Sequence, residues 1–385
     1  MIAHCGPWSA LKCCVMLFAP LSMKKSNFSG LAGGSDNCAA IEDGRVNMRK
    51  AVWQFAIGAA LATGLLMPAG TAGAQDKTFV MKIGLATIND TQHEWAKRFV
   101  AAVEKDSGGR IKGEIYPASQ LGPIPRMIEG VQFGSIQSWL GPPEFLVGVD
   151  KRYEALSAPG LMTSRNQMEG VLKDPAVLDM MLGLGANKGL MGVGLIPIGP
   201  SSIITRKPVR RIADLKGMKI RVLASPFQLE LIKRMDASPI AMTLADVLPG
   251  LQQGTIDGSL SSMTVYTTMQ FHDAAKYVTA TDQPYIVTII VMSKKWFDTL
   301  PADLQKIIRD EGRKVSADVF PFVQEFFDNQ SKIWVSRGGE IIHLPADEQT
   351  AVTAKVATIA EDLSKDNPDL NKAVKLVFDS AKRHK

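Results

Sequence analysis

The chain has 385 residues, of which 44 are Lys or Arg and 38 are Asp or Glu, a formal net charge of +6. Residues 1–74 carry 6 of the basic and 3 of the acidic side chains, so the remaining 311 residues hold 38 and 35, a net of +3; that near-balance removes the electrostatic case for nucleic acid. All four cysteines (Cys5, Cys13, Cys14, Cys38) also precede residue 75, which excludes disulfides, thiol chemistry and cysteine metal sites from the rest.

Met48-Arg49-Lys50 leads into the uncharged run AVWQFAIGAALATGLLMPAG and then TAGAQ, with Ala72 and Ala74 at A-x-A spacing. A basic start, an apolar stretch and a small-residue cleavage site predict a signal peptide over 48–74, cut after Ala74. A membrane anchor is the competing reading, since the run is nearly long enough to span a bilayer. Gly64, Pro68, Gly70 and the A-x-A site argue against it. A signal peptide begins a protein, so residues 1–47, which lack clear periodicity, read as a mis-annotated upstream extension and Met48 as the start. Beyond Gln75 no stretch is apolar for long enough to insert in a membrane.

From there strand and helix patterns alternate. FVMKIGLA (79–86) reads as a strand, and EWAKRFVAAVEKDSGG (94–109) as a helix with Trp95, Phe99, Ala102 and Val103 on one stripe, stopped by paired glycines. IKGEIYP (111–117) is a second strand, PRMIEGVQFG (125–134) a short helix, and SIQSWLG (135–141) leads into a third strand. GLMGVGLIPIG (189–199) and GMKIRVL (217–223) are further strands. SPFQLELIKRM (225–235) and TLADVLPGLQQG (243–254) are helices, the second with Thr243 and Asp246 at capping-box spacing and Pro249 expected to bend it. After YIVTIIVMSKKWF (285–297) the pattern becomes helical: a long stretch over 301–336, interrupted near Pro321, and two more over 345–366 and 368–383 that would strap the lobes together. QFGSIQ (132–137) and QQGTIDG (252–258) lie 120 residues apart; each ends a helix at Gly and opens a strand, which points to two similar α/β lobes rather than to a common helix-stop device.

Catalytic signals are thin. GLGANKG (183–189) has the wrong spacing for a dinucleotide fingerprint and follows a helix instead of opening one. His93, His272, His343 and His384 are scattered without metal-ligand spacing, and adjacent His272-Asp273 read as surface residues that point apart. In open α/β sheets ligands bind beyond the carboxyl ends of strands, and Arg221 stands near such an end. By alternation it shares a face with Lys219, so pattern alone leaves open whether it is a solvated charge or a ligand anchor.

YPASQLG (116–122), RKPVRRIADLKGMKIRV (206–222), ASPIAMTLADVLPGLQQGTIDG (237–258) and MSKKWFDTLPADLQKII (292–308) together resemble the solute-binding proteins of TRAP (tripartite ATP-independent periplasmic) transporters, of the DctP type. The resemblance runs from Lys77 to the C-terminus. It implies an α/β, two-lobed periplasmic-binding-protein-like fold, each lobe a mostly parallel sheet flanked by helices, with a long helix spanning the lobes. The lobes would comprise residues 75–198 with about 287–325, and 199–286 with about 326–385. It also implies a receptor, without a cofactor, that closes on a small carboxylate in the periplasm and hands it to the membrane permease subunits, as a monomer and without catalysis. An exported enzyme on a similar scaffold, or a receptor feeding a sensor protein, are the alternatives.

The last arginine of the family's GMKIR motif holds the ligand carboxylate, and here it is Arg221. A guanidinium suits that role because it stays charged and matches a carboxylate with two parallel hydrogen bonds. Ser261 stands where the family usually has Asn, and Gln137 where it has the acid of G-x-x-D. Alignment to the family also places Pro142, Phe145, Pro200 and Leu244 on the pocket wall, positions that several sugar-acid receptors fill with polar groups, including a second arginine where Pro200 falls. Asn89, Trp139 and Gln283 complete the expected lining. One cation and an apolar wall predict a small monocarboxylate with an apolar or aromatic body, ahead of sialic acid or a C4-dicarboxylate, because an unpaired buried charge is strongly disfavoured.

Overall fold

The computed structural model describes residues 77–384, the side chain of Gln283 excepted; the expected upstream extension, signal peptide and cleavage after Ala74 lie outside the described residues. In chain order the elements are β1 (Phe79–Leu85), α1 (Thr91–Asp106), β2 (Ile111–Tyr116), α2 (Ile124–Phe133), β3 (Ser138–Gly141), α3 (Arg165–Lys173), α4 (Pro175–Gly183) and β4 (Leu190–Thr205). Then come β5 (Lys219–Val222), α5 (Pro226–Arg234), β6 (Ser238–Ala241), α6 (Val247–Gln253), β7 (Gly258–Ser262), α7 (Met263–Thr268) and β8 (Tyr277–Ser293). The helical tail is α8 (Lys294–Phe297), α9 (Ala302–Asp318), α10 (Phe320–Ser336), the short strand β9 (Glu340–His343), α11 (Ala346–Val356), α12 (Ile359–Ser364) and α13 (Pro368–Arg383).

The strands are joined in the order β2-β1-β3-β8-β4-β7-β5-β6, with β9 beside β8. β1, β2 and β3 pair in parallel, as do β5, β6 and β7. Between the two triplets run β4 and β8, of 16 and 17 residues, antiparallel to each other and to the adjoining strands β7 and β3, while β9 joins β8 in parallel. The fold is thus α/β with two mostly parallel halves, each flanked by helices, and two strands that belong to both. One face of each inner strand is fully buried, at Met81, Ile83 and Leu85 of β1 and at Ile220 and Val222 of β5, as side chains that alternate between faces allow.

The 120-residue echo is a structural repeat. Gly134 and Gly254 end α2 and α6 in the left-handed conformation, at φ 88° and 74°, where a side chain is disfavoured. Ser135 and Thr255 hydroxyls donate to the carbonyls of Gly130 and Gly250, and the Ile136 and Ile256 amides reach the same two carbonyls. Gln137 Oε1 accepts from the Lys82 amide of β1 at 3.0 Å, and Asp257 Oδ2 from the Lys219 amide just as β5 begins, at 2.9 Å. Gln137 and Asp257 therefore do one job in the two halves: each side chain pairs the amide of a lysine in a neighbouring strand.

Thr243 and Asp246 do not form the expected capping box. Their side chains bond each other at 2.8 Å, a 3₁₀ turn covers Leu244–Asp246, and α6 begins only at Val247. Pro249 consequently falls in the first turn, where no amide partner is required, so no bend is needed. His272 also departs from expectation. It is largely buried edge-on to Trp334 at 6.0 Å, and its Nε2 lies 3.4 Å from Asp273. The helical stretch over 301–336 is broken at Val319, with Pro321 in the first turn of α10. α9 packs on α1 and β4, and α10 on α7, so the pair reaches from one half to the other.

The C-terminal helices return along the molecule: α12 packs on α5, and α13 on α3, α4 and the 3₁₀ segment Lys151–Ser157. Asp174 fixes α13. It caps α4 through the Ala176 amide, accepts from Ser380 Oγ at 2.6 Å and pairs with Arg383. Burial pushes its carboxyl pKa up, but Ser380, Arg383 and the amides of Ala176 and Val177 outweigh that and hold it at about 2. Because the folded value is depressed, its stabilisation is present above the ordinary carboxyl value and is lost as pH falls toward 2. Asp174→Ala should cost about 2–4 kcal/mol in urea unfolding at neutral pH, from a lost cap and charged hydrogen bonds. The difference from wild type should shrink as the pH approaches 2.

Candidate functional site

At the carboxyl end of β5 the chain buries a cation. Lys219 opens the strand exposed, whereas Arg221, two residues on, keeps 1% of its surface accessible. The shared face is solvent at one end of the strand and protein at the other. Arg221 lies in register with Ile240 of β6 and Ser259 of β7. Its Nε donates to the Met242 carbonyl at 2.9 Å, which fixes the guanidinium in orientation, while Nη2 has no hydrogen-bond partner. Burial lowers its pKa to about 10, against the raising influence of Tyr266 and Glu144, so it remains charged at neutral pH.

Arg221 lines a narrow cavity between the two halves of the sheet. The space open to the centre of a water-sized sphere is about 30 Å³, room for only a few water molecules. Trp139, Pro142, Phe145, Leu244 and Ser261 share its wall, so the cavity brings together six of the residues expected from sequence. Trp139 comes from β3, opposite Gly84 of β1. Its indole occupies the space beside Gly141, where an added Cβ would sit 2.3 Å from the ring. Trp139 Nε1 is buried without a partner, and an indole N–H can only donate. Ile124, Ile198, Val265 and Ile286 make most of the remaining surface apolar. Arg221 is the only charged side chain on the wall among the described residues.

Besides apolar wall residues such as Ile124 and Ile286, two polar lining residues were missed. Thr87 follows β1 and Gln92 stands in the first turn of α1; Thr87 Oγ1 is buried and unpartnered. The strand-end rule that singles out Arg221 after β5 applies equally to the β1–α1 junction, which would have found them. Asn89 lies in that same loop at φ 55°, but it is exposed, its amide donates to His93 Nδ1 at 3.1 Å, and it is not on the cavity wall. Pro200 is also elsewhere. It lines a separate crevice with Arg165, Tyr285, Phe320, Gln324 and Phe327. The β4–β8 register shifts between Pro197 and Gly199 and again between Pro200 and Ser202, and such bulges re-aim side chains. Ile198 therefore reaches the cavity while Pro200 does not. The side chain of Gln283 lies outside the described residues.

Ser261 is held by a buried phenol. Tyr266 Oη accepts from the Ser261 amide at 2.7 Å and lies 2.6 Å and 2.8 Å from the carbonyls of Ser202 and Ser259. Its ring packs against Phe271 and Trp334. One hydroxyl thus ties β4 to β7 beside Arg221.

Among the described residues no group of three or more His, Asp or Glu side chains is placed to hold a metal ion, and no helix is long and apolar enough to cross a membrane. Fold and site together define a class: an α/β binding protein of two halves, with a buried cation facing the space between them. The family model for bacterial extracellular solute-binding proteins, family 7 (DctP), matches residues 84–366, and the chain belongs to this family. It is 30% identical over 220 residues to the 2,3-diketo-L-gulonate-binding periplasmic protein YiaO of Escherichia coli, covering 57% of this chain and 67% of that one. It is 25% identical over 310 residues to the ectoine/5-hydroxyectoine-binding periplasmic protein UehA of Ruegeria pomeroyi, covering 80% and 90%. A crystal structure of a TRAP periplasmic solute-binding protein from Desulfovibrio salexigens with bound orotic acid is similar in fold, with a TM-score of 0.76, 22% identity, and 80% and 100% coverage. Against the curated relatives at 27–30% identity the chain spans 63–70% of their length.

Tyr266→Phe keeps the ring and removes the knot. It leaves the Ser261 amide and two carbonyls short of a partner, so urea denaturation should show a loss of about 1–3 kcal/mol. Unchanged stability would mean that β4 and β7 do not depend on this hydroxyl.

Proposed function

We propose that the chain is the periplasmic receptor of a TRAP transporter, exported with cleavage after Ala74, and that it captures a small monocarboxylate with an apolar or aromatic body. The observation that carries this reading is Arg221: a buried guanidinium with a free Nη2 and no ion-pair partner among the described residues, facing an otherwise uncharged wall. A carboxylate satisfies that nitrogen and the charge at once. The unpartnered donors Thr87 and Trp139 offer further bonds to acceptor oxygens, and Phe145, Leu244, Ile124 and Val265 offer apolar contact. A second carboxylate would find no second cation on this wall. The organic acids named for the relatives support the ligand class.

The lobes in this reading are residues 75–198 with about 287–325, and 199–286 with about 326–385. They part and close at the paired irregularities of β4 and β8, where Pro197 and Gly199 face Val287 and Ile286. The narrowness of the cavity supports a closing motion, because a carboxylate needs the halves to separate before it can enter. Closure then excludes water and strengthens the Arg221–carboxylate attraction. Release is to the membrane permease subunits, with the receptor acting as a monomer and no bond made or broken. Asn89, Ser261 and Gln283 are the polar residues that would rearrange around the acid, and Pro200 would act only through the strand it bends.

Calorimetry on the exported protein tests the reading, with phenylacetate and orotate set against succinate and malate. The monocarboxylates should bind and be recovered unchanged. Arg221→Ala should weaken them at least about a hundredfold, and Arg221→Lys about tenfold, since a lysine keeps the charge but not the paired geometry. Wild-type affinity in Arg221→Ala would remove the anchor, and tight succinate binding would overturn the monocarboxylate specificity. Intact mass of the exported protein should begin at Gln75; residues from 1–47 in it would overturn the processing.

A further inference from the structure

Behind the cavity wall lies a second ionisable group that ligand contact does not use. Glu144 sits in the 3₁₀ turn Pro143–Leu146, next to the lining residues Pro142 and Phe145, yet it is not on the wall itself. It is 2% exposed. Gln228 Nε2 donates to its Oε1 at 3.2 Å, and its Oε2 has no partner. The Ser157 hydroxyl is near enough to favour the carboxylate electrostatically but falls outside hydrogen-bond geometry.

The charged groups that face Glu144 are Arg221 from β5 and Glu154 from the segment Lys151–Ser157. Tyr266 also acts electrostatically on the same guanidinium. The other elements packed on the Glu144 turn are α2 and β8, whose Arg126, Glu129 and Asp282 are exposed, and α5, whose Lys233 is exposed and whose Glu230 and Arg234 pair with each other. Glu154 has its own partners. One of its oxygens takes both Ser225 Oγ at 2.7 Å and the Phe227 amide at 2.6 Å, at the start of α5. Glu144 has a single long bond from an amide. Of the two buried acids it is the one whose charge is least supported.

Before any ligand arrives, the region already holds one buried cation and two carboxyl groups. A bound carboxylate adds a further negative charge beside the same guanidinium. Several buried anions around a single cation are expensive, and the least supported carboxylate is the one that neutralises. Building on the carboxylate-receptor reading above, we propose that Glu144 is a proton site linked to the anion site, so that seating one carboxylate on Arg221 is accompanied by uptake of one proton at Glu144.

The free protein is poised for this. Burial raises the Glu144 pKa to about 7, with Glu154 adding to the rise and Ser157 and Arg221 opposing it. A ligand anion that engages Arg221 removes part of that opposition and raises Glu144 further. Binding therefore favours the protonated acid. Affinity is full below about pH 7 and falls roughly tenfold per pH unit above it, until the pKa of the liganded state is reached.

The test uses wild-type exported protein and phenylacetate, whose own carboxylate stays ionised throughout. Titration calorimetry at pH 8 in buffers of different ionisation enthalpy should give an uptake approaching one proton per ligand. The Kd should weaken roughly twentyfold between pH 6 and pH 8.5. Glu144→Gln, a permanently neutral stand-in for the protonated acid, should bind with an affinity flat in pH and take up no proton. Carbon NMR of the wild-type protein labelled at glutamate Cδ reads the Glu144 midpoint directly, so the result does not depend on that variant folding. Binding with no proton uptake, or a Glu144 midpoint that the ligand leaves unmoved, would overturn the linkage while leaving the receptor reading intact. Failure of every panel acid to bind would overturn the receptor reading instead.

Discussion

A guanidinium taken out of water with only one of its nitrogens hydrogen-bonded is the constraint around which this molecule is arranged. Arg221 can be tolerated at the end of β5 because everything near it is committed to holding it still. The Met242 carbonyl takes Nε, and the neighbouring strand β7 is locked to β4 by the Tyr266 hydroxyl. Glu144 supplies a distant opposite charge. None of these contacts consumes Nη2. A structural arginine would be expected to fill its fork with carboxylate and carbonyl oxygens; this one is supported from behind and left free in front. The same arrangement explains why the wall opposite is so plain. With the cation already present, side chains such as Phe145 and Leu244 need only exclude water for its field to act at low dielectric.

The second organising feature is repetition. The junctions at 130–138 and 250–258 share their main bonds, from the left-handed glycine to the side chain that secures the neighbouring strand. Gln137 and Asp257 differ in charge but occupy one role, which accounts for the departure from an acid at position 137. An amide oxygen accepts from Lys82 as well as a carboxylate accepts from Lys219. In the second half the carboxylate also meets Arg206 at 3.0 Å; in the first half the amide nitrogen donates to the Gly134 carbonyl instead. The site lies where the two copies meet, at the carboxyl ends of β1 and β5, the crevice position expected of open parallel sheets.

Much of this could be read in the sequence, for identifiable reasons. Strand–helix alternation, the helix break near Pro321 and the echo at 120 residues rest on local periodicity and glycine punctuation, which survive folding unchanged. Arg221 was reachable because motif and strand end coincide; Phe145 came from alignment to the family, and Trp139 from its place near the aligned positions. The misses have a common cause in non-local geometry. Pro200 was assigned to the cavity by alignment along a strand whose alternation is broken by a register shift between Pro197 and Gly199. Thr243 and Asp246 had the spacing of a capping box, yet their side chains satisfied each other. His272 read as surface because its neighbour in space, Trp334, is remote in sequence. Thr87 and Gln92 follow a strand end with no charge to mark it.

The two long strands also bear on how the molecule comes to exist. β3 closes its edge only when β8 arrives, Ser138 pairing with Met292, and β4 joins β7 and β8 along nearly its whole length. The first half of the sheet is not a contiguous piece of chain, so it cannot complete itself while the chain is still emerging. Pairings this distant in sequence carry a large loop-closure cost before they return any stabilisation, and they slow folding. A chain whose first half remains an open-edged sheet until its last third appears is slow to become compact, and slowness of that kind keeps a polypeptide threadable across a membrane before it folds.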